Sequence, residues 1–174
     1  LRWVTAITEA LTSLHVQHVV HRDITPNNII ICGGEPVLID FGLALDAKHD
    51  HAAAIGLAGT VPYMAPEQVL ATDSPITPAT DVFALGGLLV YLLTGKSVHR
   101  LINKENDIEL QHVARFSDSQ LATALPHSEF RQLLLRCLSS STSKRFKDAA
   151  DLLTALNTLR QSDFFLKRRN VLTA

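Results

Sequence analysis

The chain has 174 residues, of which 47% are hydrophobic and 19% charged, a size and balance typical of a single soluble globular domain with a core. Its 16 lysines and arginines nearly match its 17 aspartates and glutamates, so its charge gives no reason to expect nucleic acid as a partner. The two cysteines lie far apart, which argues against a disulfide framework and favours the reducing cytoplasm.

The first predicted element is an amphipathic helix over residues 1–16, because apolar side chains recur there at helical spacing. Two short runs rich in β-branched residues follow at 29–31 and 37–39, and the glycines and proline between them favour a tight reversal. We therefore expect a small β-hairpin.

His15 and His18 are interpreted as helix-end residues, because no carboxylate or cysteine stands beside them at metal-ligand spacing.

Residues 42–66 show no sustained periodicity and are rich in Ala, Gly, His and Asp, which predicts a long exposed loop. Thr77-Pro78 is a plausible helix start, with threonine as the cap and proline at the first helical position. The apolar run that follows ends near Thr94-Gly95 and predicts a helix buried at the centre of the domain. Its longest apolar stretch, about 12 residues, is well short of the roughly 20 needed to span a bilayer.

Two further helices are expected towards the C terminus, each with one apolar stripe. The first stripe consists of Phe130, Leu133, Leu134 and Cys137, and the second of Phe146, Ala149, Leu152, Leu153 and Leu156. Residues 96–126 show no clear pattern, and the basic cluster 167–169 is interpreted as a solvated chain end. The predicted fold is mainly α with a small β-hairpin, an α+β class.

Two motifs bring together side chains suited to phosphoryl transfer. His21-Arg22-Asp23 is followed after four residues by Asn28, and Asp40-Phe41-Gly42 follows the predicted hairpin. This reaction needs an acceptor hydroxyl aimed in line and a phosphate charge neutralised by metal. Magnesium prefers hard oxygen ligands, which Asp40 and the Asn28 amide can supply. Asp23 is then free to accept the hydroxyl proton.

Three more motifs stand downstream in a fixed order. Residues 59–67 read G-T-V-P-Y-M-A-P-E, D-V-F-A-L-G begins at Asp81, and Arg145 comes later. With the first two motifs, they resemble the C-terminal lobe of the eukaryotic-like (Hanks-type) protein serine/threonine kinases. The sequence around Asn28 is similar to bacterial members of that family.

The resemblance implies transfer of the ATP γ-phosphate to serine or threonine side chains of proteins, with Mg2+ or Mn2+ as the metal. Asp23 is then the base, and Asn28 and Asp40 hold the metal. Ile30 would form the apolar floor beneath the adenine ring. Thr25 stands where the family usually has a lysine that contacts the transferred phosphate.

The resemblance also implies structural roles. His21 would pack against Phe41, beside Gly42, and Asp81 would hold the backbone of the catalytic loop.

Near the end of the activation segment, Thr60 marks the serine/threonine branch of the family, and Glu67 would form a buried ion pair with Arg145. Arg22 commonly receives an activation-loop phosphate in such kinases. Here no Ser, Thr or Tyr occurs from 43 to 59. We therefore expect a fixed carboxylate, from Asp46 or Asp50, to replace that phosphate.

The chain departs from the family pattern in two further ways. It has no glycine-rich phosphate loop, no strand lysine and no helix glutamate, so the resemblance covers a kinase C-terminal lobe at 1–160 without its N-terminal lobe. Residues 161–174 would be a tail or the start of a linker, and their basic cluster would suit a juxtamembrane position in a longer protein. Thr25 offers a hydroxyl but no charge. The missing positive charge would raise the activation free energy by on the order of 2 to 4 kcal/mol.

Two other functions stay open. The missing lobe and Thr25 are compatible with a catalytically inactive kinase-like module that binds partners, although intact Asp23, Asn28 and Asp40 weigh against it. A small-molecule kinase of the same superfamily would share the catalytic loop. The A-P-E segment and the Asp81 helix weigh against that second alternative.

Overall fold

The computed structural model describes residues 2–46, 59–69, 75–102 and 128–161, and these form helices and two small antiparallel sheets. The helices are α1 (Arg2–Val16), α2 (Pro66–Val69), α3 (Pro78–Thr94), α4 (Val98–Ile102), α5 (Ser128–Cys137) and α6 (Ala149–Gln161). The strands are β1 (Val19–Val20), β2 (Ile29–Cys32), β3 (Glu35–Leu38) and β4 (Leu45–Asp46). Short 3-10 turns span Pro26–Asn28, Val61–Tyr63 and Thr142–Lys144. The predicted mainly α fold with a small hairpin is present in these residues.

Helix α3 lies at the centre of the fold, as its uniformly apolar sequence predicted. Every residue from Ala79 to Val90 is buried. At its start, the Thr77 N–H donates to Thr80 Oγ1 at 3.2 Å, and proline occupies the first turn. At its end, Gly95 adopts the left-handed conformation (φ 70°) and its N–H donates to Tyr91 O at 2.8 Å, which terminates the helix.

Helices α1, α5 and α6 bury their apolar stripes against α3. The shared core includes Val4, Ile7, Leu11, Leu85, Leu88, Leu89, Leu134, Leu152 and Leu156. Gly86 permits the closest approach, because a Cβ built there would lie 2.7 Å from Cys137 Cβ of α5. In the predicted stripe that begins at Phe146, all members are buried except Leu153, which is partly exposed, and α6 itself starts only at Ala149.

The hairpin of β2 and β3 pairs Ile29 with Leu38 and Cys32 with Glu35, leaving Gly33 and Gly34 as the turn. Both glycines have positive φ, 59° and 85°, as the tight turns of hairpins require. Its inward face, which includes Leu38, packs towards α1, and the Trp3 Nε1–H donates to Gly34 O at 3.2 Å.

The sheet of β1 and β4 was not predicted. It pairs Val19 with Asp46 and Val20 with Leu45, so residues just after Asp40-Phe41-Gly42 lie beside the strand that leads into the catalytic loop. The expected loop over 42–66 is therefore interrupted at both ends, by β4 and by the turn at Val61–Tyr63. Its middle, 47–58, lies outside the described residues.

Among the described helices, none has the length and apolar character needed to cross a membrane.

Candidate active site

Asp23 and Asn28 are joined directly in the catalytic loop. The Asn28 side-chain amide donates to Asp23 Oδ2 at 2.8 Å and to the Asp23 carbonyl at 2.9 Å. The turn at Pro26–Asn28 makes this possible, because it folds the chain back within five residues. The amide nitrogen is committed to Asp23, so the amide oxygen is the group that could bind a metal.

The activation segment reaches the same carboxylate from the other side. The Thr60 backbone N–H donates to Asp23 Oδ1 at 2.7 Å. Each oxygen of Asp23 therefore accepts one hydrogen bond, and the two donors fix the plane of the carboxylate.

Asp81, at the start of α3, holds the backbone of the catalytic loop as the resemblance implied. Its Oδ1 accepts from the Arg22 N–H and its Oδ2 from the His21 N–H, both at 2.8 Å. Arg22 has a left-handed backbone (φ 71°), a conformation that costs on the order of 1 to 3 kcal/mol in a non-glycine residue. Gln68 Nε2 donates to the Arg22 carbonyl at 2.8 Å and supports the same strained residue.

His21 links the catalytic loop to the Asp40-Phe41-Gly42 motif. Its ring lies 5.0 Å from the Phe41 ring, centroid to centroid, and its Nε2 is 3.3 Å from the Ile39 carbonyl. Asp40 also has a left-handed backbone (φ 63°), and its Oδ1 accepts from the Gly42 N–H at 3.1 Å. The Ile39 N–H donates to Asn28 O at 2.9 Å. The exposed Asp40 is therefore the direct neighbour of a residue that is hydrogen-bonded to Asn28. An amide oxygen directly before β2 and a carboxylate two residues after β3 are thus available, and magnesium prefers oxygen donors of this type.

An apolar pair lies on the outer face of the hairpin beside these groups. Ile30 is paired with Val37 across the two strands, and their exposed fractions are 47% and 41%. Exposed apolar side chains next to a polar cluster offer a flat surface for an aromatic ring.

Thr25 and Arg22 each hold a buried polar atom. Thr25 is 1% exposed, and neither its hydroxyl nor Arg22 Nε has a hydrogen-bond partner among the described residues. The ion pairs within the described part of the chain do not include one between Arg22 and Asp46. The other carboxylate considered, Asp50, lies outside the described residues.

The ion pair implied between Glu67 and Arg145 is present and buried. Arg145 Nη1 and Nη2 donate to the two Glu67 oxygens at 2.7 and 2.8 Å, and the side chains are 0% and 2% exposed. Thr80 Oγ1 donates to Glu67 at 2.9 Å, and Arg145 Nε donates to Ser139 O at 2.7 Å. The pair therefore ties α2, at the end of the activation segment, to α3 and to the segment before α6.

Sequence reasoning missed two supporting residues, Gln68 and His15. Gln68 bonds to the backbone of Arg22 and Ala65, and His15 lies 2.9 Å from Asp81. Neither was assigned a supporting contact, because the partners Arg22 and Asp81 are distant in sequence. The one available signal was the position of Gln68 directly after the A-P-E triplet.

Comparison with known proteins agrees with this geometry. The family model described as "Protein kinase domain" matches residues 2–162. The serine/threonine-protein kinase AfsK of Streptomyces coelicolor is 35% identical over 147 residues, which are 83% of this chain and 18% of that protein. The probable serine/threonine-protein kinase PkwA of Thermomonospora curvata is 33% identical, over 90% of this chain and 20% of its own length. The serine/threonine-protein kinase PknD of Mycobacterium tuberculosis is 31% identical, over 87% and 23%.

The chain thus spans about a fifth of the length of these relatives. The family match covers most of the chain and includes the catalytic loop, the activation-segment end and helix α3. On this basis, the chain belongs to the protein kinase domain family, and its relatives are serine/threonine kinases, mostly bacterial.

Proposed function

We propose that the chain is the C-terminal lobe of a protein serine/threonine kinase, which transfers the γ-phosphate of ATP to serine or threonine hydroxyls of proteins. The observation that carries this proposal is the placement of Asp23 between the Thr60 N–H and the Asn28 amide. Residues 1–160 would form the lobe, 161–174 a tail or linker start, and an upstream N-terminal lobe would complete the nucleotide site.

In this mechanism, Asp23 orients the acceptor hydroxyl and takes its proton as the oxygen attacks phosphorus. The hydrogen bonds from Thr60 and Asn28 keep the carboxylate plane fixed, so little reorganisation is needed during the reaction. Ile30 and Val37 would cover one face of the adenine ring. Thr25 would occupy the position of the lysine that contacts the transferred phosphate in related kinases.

The residues that would hold the metal are Asp40 and Asn28, through carboxylate and amide oxygens. Bound Mg2+ or Mn2+ would neutralise the charge of the phosphates and help to align them. The left-handed backbone at Asp40 and its bond from the Gly42 N–H fix where that carboxylate stands.

Activation would not require phosphorylation within residues 43–59, because that stretch has no hydroxyl side chain. A fixed carboxylate, from Asp46 or Asp50, would serve Arg22 instead. An obligatory phosphate at Thr60 or Tyr63, found by mass spectrometry of the active protein, would overturn this part of the proposal.

A cytoplasmic location is supported by the two free cysteines, Cys32 and Cys137.

A second candidate is a kinase-like module that binds partners without catalysis. The observation in its favour is Thr25, which supplies no charge and whose hydroxyl is buried.

One experiment separates these functions. The full-length protein containing this chain is incubated with γ-labelled ATP, magnesium and either casein or a small alcohol, beside the piece 1–174 alone. We expect labelled phosphoserine or phosphothreonine from the full-length protein with casein, and no transfer by the piece alone. Labelling of the alcohol in preference to casein would favour a small-molecule kinase. No transfer by folded full-length protein would favour the binding module.

A further inference from the structure

Gln68 is a buried side chain in α2 whose amide bonds to two separate segments of the chain. It is 6% exposed. Its Nε2 donates to the carbonyl of Arg22 at 2.8 Å, and its Oε1 accepts from the Ala65 N–H at 3.0 Å. A backbone carbonyl can only accept and a backbone N–H can only donate, so these two partners fix which way the amide points. One side chain thus joins the end of the activation segment to a loop 46 residues earlier.

The bond to Arg22 acts on the peptide group that leads into Asp23. The Arg22 carbonyl and the Asp23 N–H belong to one planar unit, so holding the carbonyl also sets the direction in which the chain enters Asp23. At the other end of this unit, the Asp23 N–H lies 3.4 Å from His21 Nδ1, which is a long contact. Within the described residues, Gln68 is the group that donates to the Arg22 carbonyl. The plane of this peptide group therefore depends on Gln68.

The activation-segment backbone lies against this same hydrogen bond. A Cβ built on Gly59 would lie 3.0 Å from the Arg22 carbonyl oxygen and 3.4 Å from Gln68 Nε2, and the φ of Gly59 is 126°. There is consequently no room for a side chain that could replace the donor. The next residue, Thr60, donates its N–H to Asp23 Oδ1 at 2.7 Å. One segment thus holds both the backbone and the carboxylate of Asp23.

A purely local role for Gln68 would need only one of its two bonds. The Gln68 backbone N–H donates to Ala65 O at 2.9 Å, and Oε1 returns a bond to the Ala65 N–H, which closes the first turn of α2. The donation from Nε2 to Arg22 contributes nothing to that turn. The two roles can therefore be separated by changing the donor and keeping the acceptor.

We propose that Gln68 is a positioning residue for Asp23. It fixes the peptide plane between Arg22 and Asp23, and so makes the position of the proposed base depend on the position of the activation-segment end. The effect on phosphate transfer rests on the proposed kinase function, but the effect on the loop backbone does not.

Two substitutions in the full-length protein separate the bonds. Gln68→Met keeps the length of the side chain and loses both bonds. Gln68→Glu, once ionised, keeps the acceptor for Ala65 and loses the donor to Arg22. Because burial raises the pKa of a carboxyl group, this variant is studied first at about pH 9. Gln132→Met is the control, since Gln132 is an exposed residue of α5.

Hydrogen exchange is followed at the amides of Ala65 and Thr60. In Gln68→Met we expect both amides to exchange faster by about tenfold, as for the loss of a buried hydrogen bond. In ionised Gln68→Glu we expect faster exchange at Thr60, because Asp23 is no longer held, and nearly wild-type exchange at Ala65. Wild-type exchange at Thr60 in either folded variant overturns the proposal, whatever the activity.

Lowering the pH supplies a rescue within one variant. A protonated carboxyl group has an O–H that can donate to the Arg22 carbonyl, so the Thr60 exchange of Gln68→Glu, divided by that of the wild type, should return towards one. The other titratable groups of the two segments are present in both proteins, so the ratio isolates residue 68. They are His21, Arg22, Asp23, Tyr63 and Glu67.

The kinetic arm uses Gln68→Met and the control. A small misplacement of Asp23 should lower kcat by roughly 10- to 100-fold while KM for ATP changes little. Unchanged kcat in a variant with faster Thr60 exchange would contradict the positioning of Asp23 by Gln68. A wild-type protein without transferase activity, but with the expected exchange pattern in the variants, refutes the proposed function and supports the effect on the loop.

If neither variant folds, the wild-type side chain still decides the question. Nuclear magnetic resonance of glutamine labelled with nitrogen-15 follows the exchange of the side-chain amide protons. We expect the Gln68 proton donated to Arg22 to exchange at least about tenfold more slowly than the amide protons of exposed Gln132. Equal rates would contradict the bond on which the positioning role depends.

Discussion

Thr25 stands two residues after Asp23, and its hydroxyl is buried without a hydrogen-bond partner among the described residues. An unsatisfied buried hydroxyl costs about 1 to 3 kcal/mol of desolvation, so it is unfavourable for folding alone. Such a cost, retained close in sequence to Asp23, the proposed base, fits a group that finds its hydrogen-bond partner only when substrate is bound.

Thr25→Val tests this directly, because valine keeps the shape and removes the hydroxyl. We expect the free energy of unfolding to stay equal or rise by up to about 1 kcal/mol, since an unpaired polar group is removed. We also expect kcat for phosphate transfer to fall by on the order of tenfold, if one hydrogen bond to the phosphate is lost. Chemical denaturation and steady-state kinetics measure the two effects, and an unchanged kcat would remove Thr25 from the site.

Among the elements, the contact of α2 with the segment before α6 depends on Glu67 and Arg145. Breaking a buried pair by removing one partner leaves an uncompensated charge and costs about 3 to 5 kcal/mol. Arg145→Met should therefore lower the denaturation midpoint strongly. The exposed pair of Arg2 and Glu35 is the control, and Arg2→Ala should change stability by no more than about 1 kcal/mol. Equal, small effects in both variants would mean that the buried pair does not form.

Two neighbouring glycines of α3 give a matched test of the packing against α5. A Cβ at Gly86 would lie 2.7 Å from Cys137 Cβ, whereas one at Gly87 would meet only the Tyr63 ring at 3.4 Å. Both substitutions to alanine gain roughly 1 kcal/mol of helix propensity. Overpacking in a core costs about 1 to 3 kcal/mol, so we expect Gly86→Ala to be clearly less stable than Gly87→Ala in thermal unfolding. The reverse order would contradict the α3–α5 contact.

The elements differ in how far the sequence could predict them. Helix α3 was predicted at both ends, because Thr77-Pro78 and Gly95 are local signals that act within one turn. The hairpin was predicted for the same reason. Strands β1 and β4 were missed, because each has only two residues and pairs with a partner more than 20 residues away. His15 and Gln68 were missed as site residues because their bonds depend on how separate elements pack.

At the scale of the whole molecule, one core of residues from α1, α3, α5 and α6 holds the site in place. Cys137 lies inside this core, and its burial raises the pKa of the thiol to about 12. Cys32, in β2, is exposed.

The two thiols should therefore differ in reactivity in the native protein. At pH 8 the raised pKa leaves almost no thiolate at Cys137, and the thiolate is the reactive form. We expect iodoacetamide to modify Cys32 readily and Cys137 only when the core unfolds, which mass spectrometry of labelled peptides would show. Comparable labelling rates without denaturant would mean that α5 does not pack on α3 as described.

The role of Asp23 as the base is tested most directly by single-turnover phosphate transfer with Asp23→Asn in the full-length protein. Asparagine keeps the size of the side chain but cannot take a proton, and Asn27→Ala, at an exposed neighbour, is the control. We expect Asp23→Asn to bind ATP and magnesium normally and to lose transfer by at least about 100-fold. Near-normal transfer by Asp23→Asn, with the control unaffected, would contradict the assignment of Asp23 as the catalytic base.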